Sequence, residues 1–180
     1  PAKLQDSKLM TQAARESIET ELASWVVSHA VGKASAAEID ECGIVRALTA
    51  AAVRAIDELL ARHAELEANR SDARVILDGT HDWLSASGRG LPVLVRAKAD
   101  RDCASVAAAS VLAKLHRDAI MVELDQSFPG YGFANHKGYG AASHIDAICT
   151  LGPSAEHRRT WLSKILDDGV LPGLENIESE

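Results

Sequence analysis

The sequence lacks a long apolar run and is poor in cysteine. No stretch approaches the roughly 18 to 20 consecutive apolar residues that a membrane-spanning helix needs, and we expect no membrane association. The three cysteines, Cys42, Cys103 and Cys149, are far apart and form no C-x-x-C pair. This pattern excludes a disulfide scaffold and a cysteine-based zinc site, and it suits a reducing cytoplasm.

An excess of positive charge is also missing from the chain as a whole. The formal net charge of −7 argues against a generally basic surface that coats nucleic acid. The charge is unevenly spread, because residues 1–88 carry −5, residues 89–164 carry +3 and residues 165–180 carry −5. We therefore expect any polyanion to bind within residues 89–164, and we expect the acidic end to be solvated.

What is present is enough apolar sequence for a folded domain. The 180 residues are 47% apolar, which allows a sizeable core without disulfides or metal. Helical and β-type patterns alternate along the chain, which indicates an α/β domain followed by a small helical lobe. In chain order we predict a helix from Thr11 to about Leu22, a strand over 25–33, a helix over 35–64, strands over 73–79 and 91–100, a helix over 105–127, and helices over 143–150 and 155–166.

Two aspartates follow predicted buried strands. Asp78 ends the apolar run at 73–79, and Asp100 ends the run at 91–100. In open α/β sheets ligands gather at such strand ends, and carboxylate oxygens suit a hard divalent cation. The alternative is ordinary turn chemistry for Asp78 and helix capping for Asp100.

A glycine- and aromatic-rich segment, F-P-G-Y-G-F-A-N-H-K-G-Y-G, occupies residues 128–140, where we expect no regular structure. Its His136, Lys137 and Tyr139 offer cationic and aromatic groups beside glycines that permit close backbone approach. These residues are suited to phosphate and sugar contacts. From composition alone, a turn whose aromatic rings close a small core explains the segment better.

Lys114 and Arg117 lie one helical turn apart on the long helix predicted over 105–127. They could reach a backbone phosphate, although such pairs more often form a solvated face or bond nearby carboxylates. His136 and His144 do not predict a zinc site, because no third ligand stands at a suitable spacing.

Together these segments resemble ribonuclease HII, the bacterial type 2 ribonuclease H. The strings that carry the resemblance occur in family order: L-Q-D-S-K at 4–8, V-I-L-D-G at 75–79, K-A-D at 98–100, V-A-A-A-S-V-L-A-K-L-H-R-D at 106–118, the segment at 128–140, and H-R-R at 157–159. The strings at 106–118 and 128–140 are long and unusual, and the match extends from residue 4 to about residue 162.

The resemblance implies a ribonuclease-H-like fold, with a mixed sheet flanked by helices and a small helical C-terminal extension. We expect residues 1–127 to form the catalytic core, incomplete at its N-terminus. Residues 128–180 are expected to supply the loop, a helical lobe and the acidic tail.

The resemblance also implies the reaction. The family cleaves the RNA strand of RNA/DNA hybrids and cuts on the 5′ side of ribonucleotides embedded in duplex DNA, using Mg²⁺ or Mn²⁺ and four carboxylates in a two-metal site. Such a protein binds the hybrid or the ribonucleotide-containing duplex, and we expect it to be monomeric.

The family's motifs assign roles to individual residues. Asp78 and Asp100 correspond to metal-binding, catalytic carboxylates, and Tyr139 corresponds to the tyrosine that stacks by the ribose at the RNA–DNA junction. Lys8 matches a position that contacts the nucleic-acid backbone. The remaining substrate-binding candidates on the same track are Lys114, Arg117, His136 and Lys137.

The sequence departs from the family in two places. Ala99 replaces the glycine of a K-G-D motif, a change between small residues. The family's first strand, with an adjacent Asp-Glu pair and a Gly-Arg-Gly turn, has no counterpart, because neither Asp40-Glu41 nor the Gly-Arg-Gly string at 88–90 lies in the right context. We therefore expect an exposed sheet edge, two of four carboxylates, and no activity from these 180 residues alone.

Two other functions remain open on this evidence. The first is a non-catalytic module that binds RNA/DNA hybrids, which would retain Tyr139 while lacking the Asp-Glu pair. The second is a Mg²⁺-dependent phosphotransferase acting on small molecules, which leaves the 128–140 segment without a role.

Overall fold

The structure is a computed structural model and describes residues 1–162. Its chain is mostly helical and contains one short sheet. The helices are α1 (Gln12–Trp25), α2 (Ala36–Cys42), α3 (Ile44–Arg62), α4 (Ala64–Ala68), α5 (Ala99–Asp102), α6 (Ala104–Ser127), α7 (Phe133–His136) and α8 (Ala142–Leu151), with short 3-10 helices at Ser7–Leu9 and Ser85–Ser87.

The sheet consists of two parallel strands within residues 1–162. β1 (Val75–Asp78) pairs with β2 (Val93–Arg96), and Asp78 lies opposite Arg96 at the carboxyl end. This confirms the predicted α/β class and the approximate places of both strands. Among the described residues, no helix is long and apolar enough to cross a membrane.

Local sequence signals set several helix boundaries as predicted. The Thr11 side chain accepts a hydrogen bond from Ala14 N at the start of α1. Ser35 and Glu38 form a capping box at the start of α2. The side chains of these residues accept hydrogen bonds from amide groups in the first helical turn, which have no carbonyl partner within the helix.

The expected continuous helix over 35–64 is wrong, because Gly43 separates α2 from α3. Its φ of 80° lies in a region that glycine adopts without a Cβ penalty. Its amide closes α2 by donating to Ile39 O at 2.9 Å. The helical path therefore restarts at Ile44.

The strand predicted over 25–33 is also wrong. After α1 ends at Trp25, the chain runs without regular structure to the capping box, and Val27 is 95% exposed. Alternating β-branched residues favour a strand only where a neighbouring strand can pair with them. Here the segment packs on α3 through Gly32.

Three smaller predictions need correction. β2 ends at Arg96, so Asp100 lies in the first turn of α5 and not at a strand end. The 128–140 segment, expected to lack regular structure, contains the short helix α7. In the helix predicted over 155–166, residues 159–162 are helical, and the remainder lies outside the described residues together with the acidic end.

The chain divides into two compact units. The first comprises Pro1–Lys33 and Leu48–His116, and the second combines Ala34–Ala47 with the chain from Arg117. The predicted boundary at residue 127 stays a prediction.

Each unit has its own apolar cluster. In the first, buried residues of α1 pack against the small-residue face of α6; its members are Ile18, Leu22, Ala108, Val111 and Leu112. In the second, the cluster consists of Tyr131, Phe133 and Ile148. Tyr131 and Phe133 of the 128–140 segment therefore do close a small core, whereas Tyr139 is exposed.

Gly32 provides a test of packing in the first unit. A Cβ added at this position would lie 1.7 Å from Ala51 O, so Gly32→Ala forces the backbone apart. We expect a loss of about 1–3 kcal/mol in the free energy of unfolding, measured by urea denaturation. Gly140→Ala is the matched control, because a Cβ there meets nothing within 4 Å; equal stability of the two variants would contradict the packing.

Candidate active site

Asp78 is placed by the end of β1 and by a turn that follows β2. Lys98 adopts a left-handed conformation with φ of 59°, and the chain turns into α5. The amide of Ala99 then donates to Asp78 Oδ1 at 2.8 Å. This bond fixes the Asp78 carboxylate next to the residue that precedes Asp100.

Asp100 is the buried carboxylate of the pair. It is 7% exposed, and the Lys8 ammonium lies 3.7 Å from its Oδ2. A buried charge needs an opposite charge or hydrogen-bond donors to offset its lost hydration. The structure thus brings Asp78, Asp100 and Lys8 into one region of the first unit.

The segment that carries Lys8 is held firmly. Asp6 is 3% exposed and caps the 3-10 helix by accepting from Lys8 N at 2.9 Å. Arg15 donates to Ser7 O at 2.9 Å and to Met10 O at 2.6 Å. Asp6 also lies 3.8 Å from Arg101 Nε, so two ion pairs connect this segment to α5.

The oxygen donors of Asp78 and Asp100 suit a hard divalent cation. Mg²⁺ is commonly held by one or two carboxylates, with water and substrate phosphates completing its coordination. Within residues 1–162, no group of three or more His, Cys, Asp or Glu residues is arranged to hold a metal ion. The two aspartates supply oxygen donors of the type that such a cation takes, and further oxygens would have to complete its coordination.

Tyr139 lies in the second unit, on the turn that follows α7. Its side chain is 62% exposed. Lys137 has a left-handed backbone, with φ of 51°, and its carbonyl accepts from Arg117 Nη2 at 3.2 Å. The Lys137 ammonium bonds Ala134 O, so the described contacts of Lys137 brace the turn itself.

His136 is also engaged within this turn. Its Nε2 bonds the carbonyl of Tyr131 at 2.7 Å, and its Nδ1 accepts from Gly138 N at 3.1 Å. Both ring nitrogens therefore have backbone partners. The ring stacks on His144, with centroids 4.0 Å apart.

The remaining candidates lie on α6. Lys114 is half-buried on the part of α6 that belongs to the first unit, and Arg117 is exposed at the start of the second. Arg117 joins Lys137 and Tyr139 in the second unit, whereas Lys8 joins Asp78 and Asp100 in the first.

A second cation lies near Arg117. Burial lowers the pKa of Arg158, and the positive charge of Arg117 lowers it further, while Asp40 opposes this shift. The Arg158 guanidinium also lies 3.7 Å from the centroid of the Trp161 ring. Two like charges near each other favour an anionic ligand at this surface.

Sequence reasoning missed Asp6 and the contact between His144 and His157. Asp6 is the first residue of the D-S-K string, and an aspartate at such a position commonly accepts a hydrogen bond from the amide two residues later. The sequence therefore contained a signal for this cap. The two histidines are 13 residues apart, yet their Nε2 atoms lie 3.0 Å apart. No short motif predicts that pairing.

Comparisons with known proteins agree with these motifs. The ribonuclease HII of Streptomyces coelicolor is 45% identical over 161 residues, which are 89% of this chain and 64% of that protein. A ribonuclease HII of Thermus thermophilus is 43% identical over 157 residues, covering 87% of this chain and 70% of that protein. This chain thus spans about two thirds of the length of these relatives.

A solved structure shares the fold. The crystal structure of ribonuclease H2 from Pyrococcus horikoshii OT3 matches with a TM-score of 0.61 at 22% identity, over 93% of this chain and 81% of that one. This confirms the expected ribonuclease-H-like α/β fold. A sequence model of the family described as Ribonuclease HII matches residues 2–164, and the chain therefore belongs to the ribonuclease HII family.

Proposed function

We propose that this protein is an endonuclease that hydrolyses the RNA strand of RNA/DNA hybrids and cuts on the 5′ side of ribonucleotides embedded in duplex DNA. The observation that carries the proposal is the placement of Asp78 and Asp100, joined through the Ala99 amide, in a chain of this family. Asp78 and Asp100 are the proposed ligands of Mg²⁺ or Mn²⁺ and the catalytic carboxylates. When bound, such cations supply Lewis-acid stabilisation of charge at the scissile phosphate and its leaving oxygen.

The protein's own residues provide binding and orientation. Lys8 offsets the charge of the buried Asp100 carboxylate and presents an exposed cation to the nucleic-acid backbone. Tyr139 offers its exposed ring to the ribose, whose 2′-hydroxyl distinguishes RNA from DNA. Lys114 and Arg117 contact phosphates in this proposal.

His136 and Lys137 contribute by shaping the turn that carries Tyr139. Their described side-chain hydrogen bonds join backbone atoms before, within and after α7, namely Tyr131 O, Ala134 O and Gly138 N. These bonds hold the backbone that leads into Tyr139. The cytoplasmic location and the monomeric state stay predictions.

A non-catalytic hybrid-binding protein is the second candidate. The observation that favours it is that the described residues provide no group of three metal ligands. Its signature is binding of both duplexes without cleavage of either in Mg²⁺ or Mn²⁺.

We expect Asp78→Asn and Asp100→Asn each to reduce cleavage by more than about 100-fold, because even partners of metal ligands cost 10- to 100-fold when lost. The assay uses the protein as encoded, with whatever sequence flanks these residues. Its substrates are a DNA duplex with one ribonucleotide and an RNA/DNA hybrid, in Mg²⁺, Mn²⁺ or EDTA.

Asp72→Asn is the matched control, since Asp72 is an exposed aspartate just before β1. It should cleave normally, and all three variants should bind the duplexes. Full cleavage by Asp78→Asn would contradict the site assignment. Binding without cleavage by the unmodified protein would instead support the second candidate.

Tyr139→Ala should weaken recognition of the embedded ribonucleotide by roughly five- to 100-fold, since an aromatic stack on a nucleotide contributes about 1–3 kcal/mol. Tyr139→Phe should retain most of it, because the ring remains. The measurement is kcat/KM on the single-ribonucleotide duplex. Equal losses in both variants would show that the ring does not stack on the nucleotide.

A further inference from the structure

Three histidines of the second unit form a compact block behind the Tyr139 turn. His144 and His157 are 6% and 7% exposed, and their Nε2 atoms are 3.0 Å apart. The His136 ring stacks on His144 at an interplanar angle of 15°. Buried rings in such contact require compatible protonation states.

Backbone groups determine the proton positions, because an amide N–H can only donate and a carbonyl can only accept. His157 Nδ1 accepts from Ser154 N at 3.0 Å and also lies 2.8 Å from the Ser154 hydroxyl, which can donate its own proton, so the proton of the neutral ring is on Nε2. His144 Nδ1 faces Tyr139 O at 2.8 Å and must carry its proton there. His144 Nε2 is then free of a proton and accepts the bond from His157 Nε2–H.

These bonds form one directed chain from Ser154 to the Tyr139 carbonyl. The same carbonyl accepts from Ala141 N at 2.8 Å, and the Tyr139 amide donates to His136 O at 2.9 Å. The backbone of Tyr139 is therefore held on both sides. Its side chain remains 62% exposed.

We propose that His144 and His157 are positioning residues, which hold the Tyr139 backbone so that its ring meets the ribose of the substrate. This inference rests on the proposed function, because it gives a role to the ribose contact of Tyr139. The two residues themselves touch neither substrate nor metal in this proposal.

Protonation would break the chain of hydrogen bonds. A second proton on His144 Nε2 would face the N–H of His157. Among residues 1–162, the titratable groups whose rings contact the pair are His136 and Tyr131.

Burial lowers the pKa of both histidines below 6.5. The neighbouring His136 adds to the lowering for His144, and His144 and His136 add to it for His157. Both rings are therefore neutral at pH 7. The arrangement is lost as the pH falls below 6.5 toward these lowered values, because the open state binds protons more readily.

The test compares two substitutions of His144 with similar polarity. In His144→Asn the amide nitrogen takes the place of Nδ1 and can still donate to Tyr139 O, whereas in His144→Gln the amide lies at the Nε2 position and cannot. Binding is measured at pH 7.5 with Mg²⁺ in the Asp78→Asn background, using a duplex with one ribonucleotide and an all-DNA duplex of the same sequence.

We expect His144→Asn to keep the preference for the ribonucleotide and His144→Gln to lower it roughly two- to tenfold, the range for one neutral hydrogen bond. In the native-histidine background the preference should fall below pH 6.5. Loss in both variants, or in neither, would overturn the positioning role. No preference at pH 7.5 in the Asp78→Asn parent would overturn the proposed ribonucleotide recognition, and this inference with it.

A second measurement does not depend on activity or on the stability of the variants. Imidazole ¹⁵N resonances of the unmodified protein at pH 7.5 should show a proton on Nδ1 of His144 and on Nε2 of His157. A proton on Nε2 of His144, or a charged ring, would overturn the proposed hydrogen-bond chain.

Discussion

The carboxylate of Asp100 is almost removed from water. The structure around α5 in the first unit depends on the positive charge that offsets this buried carboxylate. Its Oδ2 lies 3.7 Å from the Lys8 ammonium, so residues near the start of the chain are tied to α5. Lys8 is positioned in turn by the buried Asp6 cap and by Arg15. Removing one partner of such a pair leaves an uncompensated buried charge, which costs more than the pair itself contributes.

The need to compensate the negative charge of the Asp78 and Asp100 carboxylates also explains why they suit a cation. One oxygen of Asp78 accepts a hydrogen bond from the Ala99 amide. The Asp100 carboxylate lies near the Lys8 ammonium, and the Lys8 side chain is largely exposed to water. A small divalent cation offers a higher charge than Lys8 does and prefers oxygen ligands. Lys8 can remain at the edge of such a site because its side chain is 79% exposed and flexible.

Local signals in the sequence predicted more of the fold than did long-range patterns. Thr11 and the Ser35–Glu38 capping box act on amides within one helical turn, so their geometry follows from spacing. The prediction of a strand at 25–33 failed because residues 1–162 place no partner strand beside this segment, and Gly32 instead lets the chain approach α3 closely. The predicted position of Asp100 at a strand end was wrong by one element, because the turn at Lys98 depends on a backbone conformation that the sequence does not mark.

The candidate site shows the same limit. Motifs identified Asp78, Asp100 and Tyr139, since residue type and order are what motifs record. The contact between His144 and His157 could not be predicted, because it depends on the packing of α8 against a later turn and on which ring nitrogen carries each proton.

Because His144 and His157 are neutral, other residues must supply the positive charge with which this acidic protein would bind a polyanion. With His144 and His157 uncharged, Arg117 and Arg158 supply positive charge that does not change near neutral pH. Burial and the charge of Arg117 both lower the pKa of Arg158, so the free protein holds these cations at some electrostatic cost. In the proposed complex a phosphate backbone would relieve that repulsion without altering the neutral state of His144 and His157. In this proposal, Arg117 and Arg158 attract the phosphates and Tyr139 recognises the ribose, so the two tasks belong to different residues of the second unit.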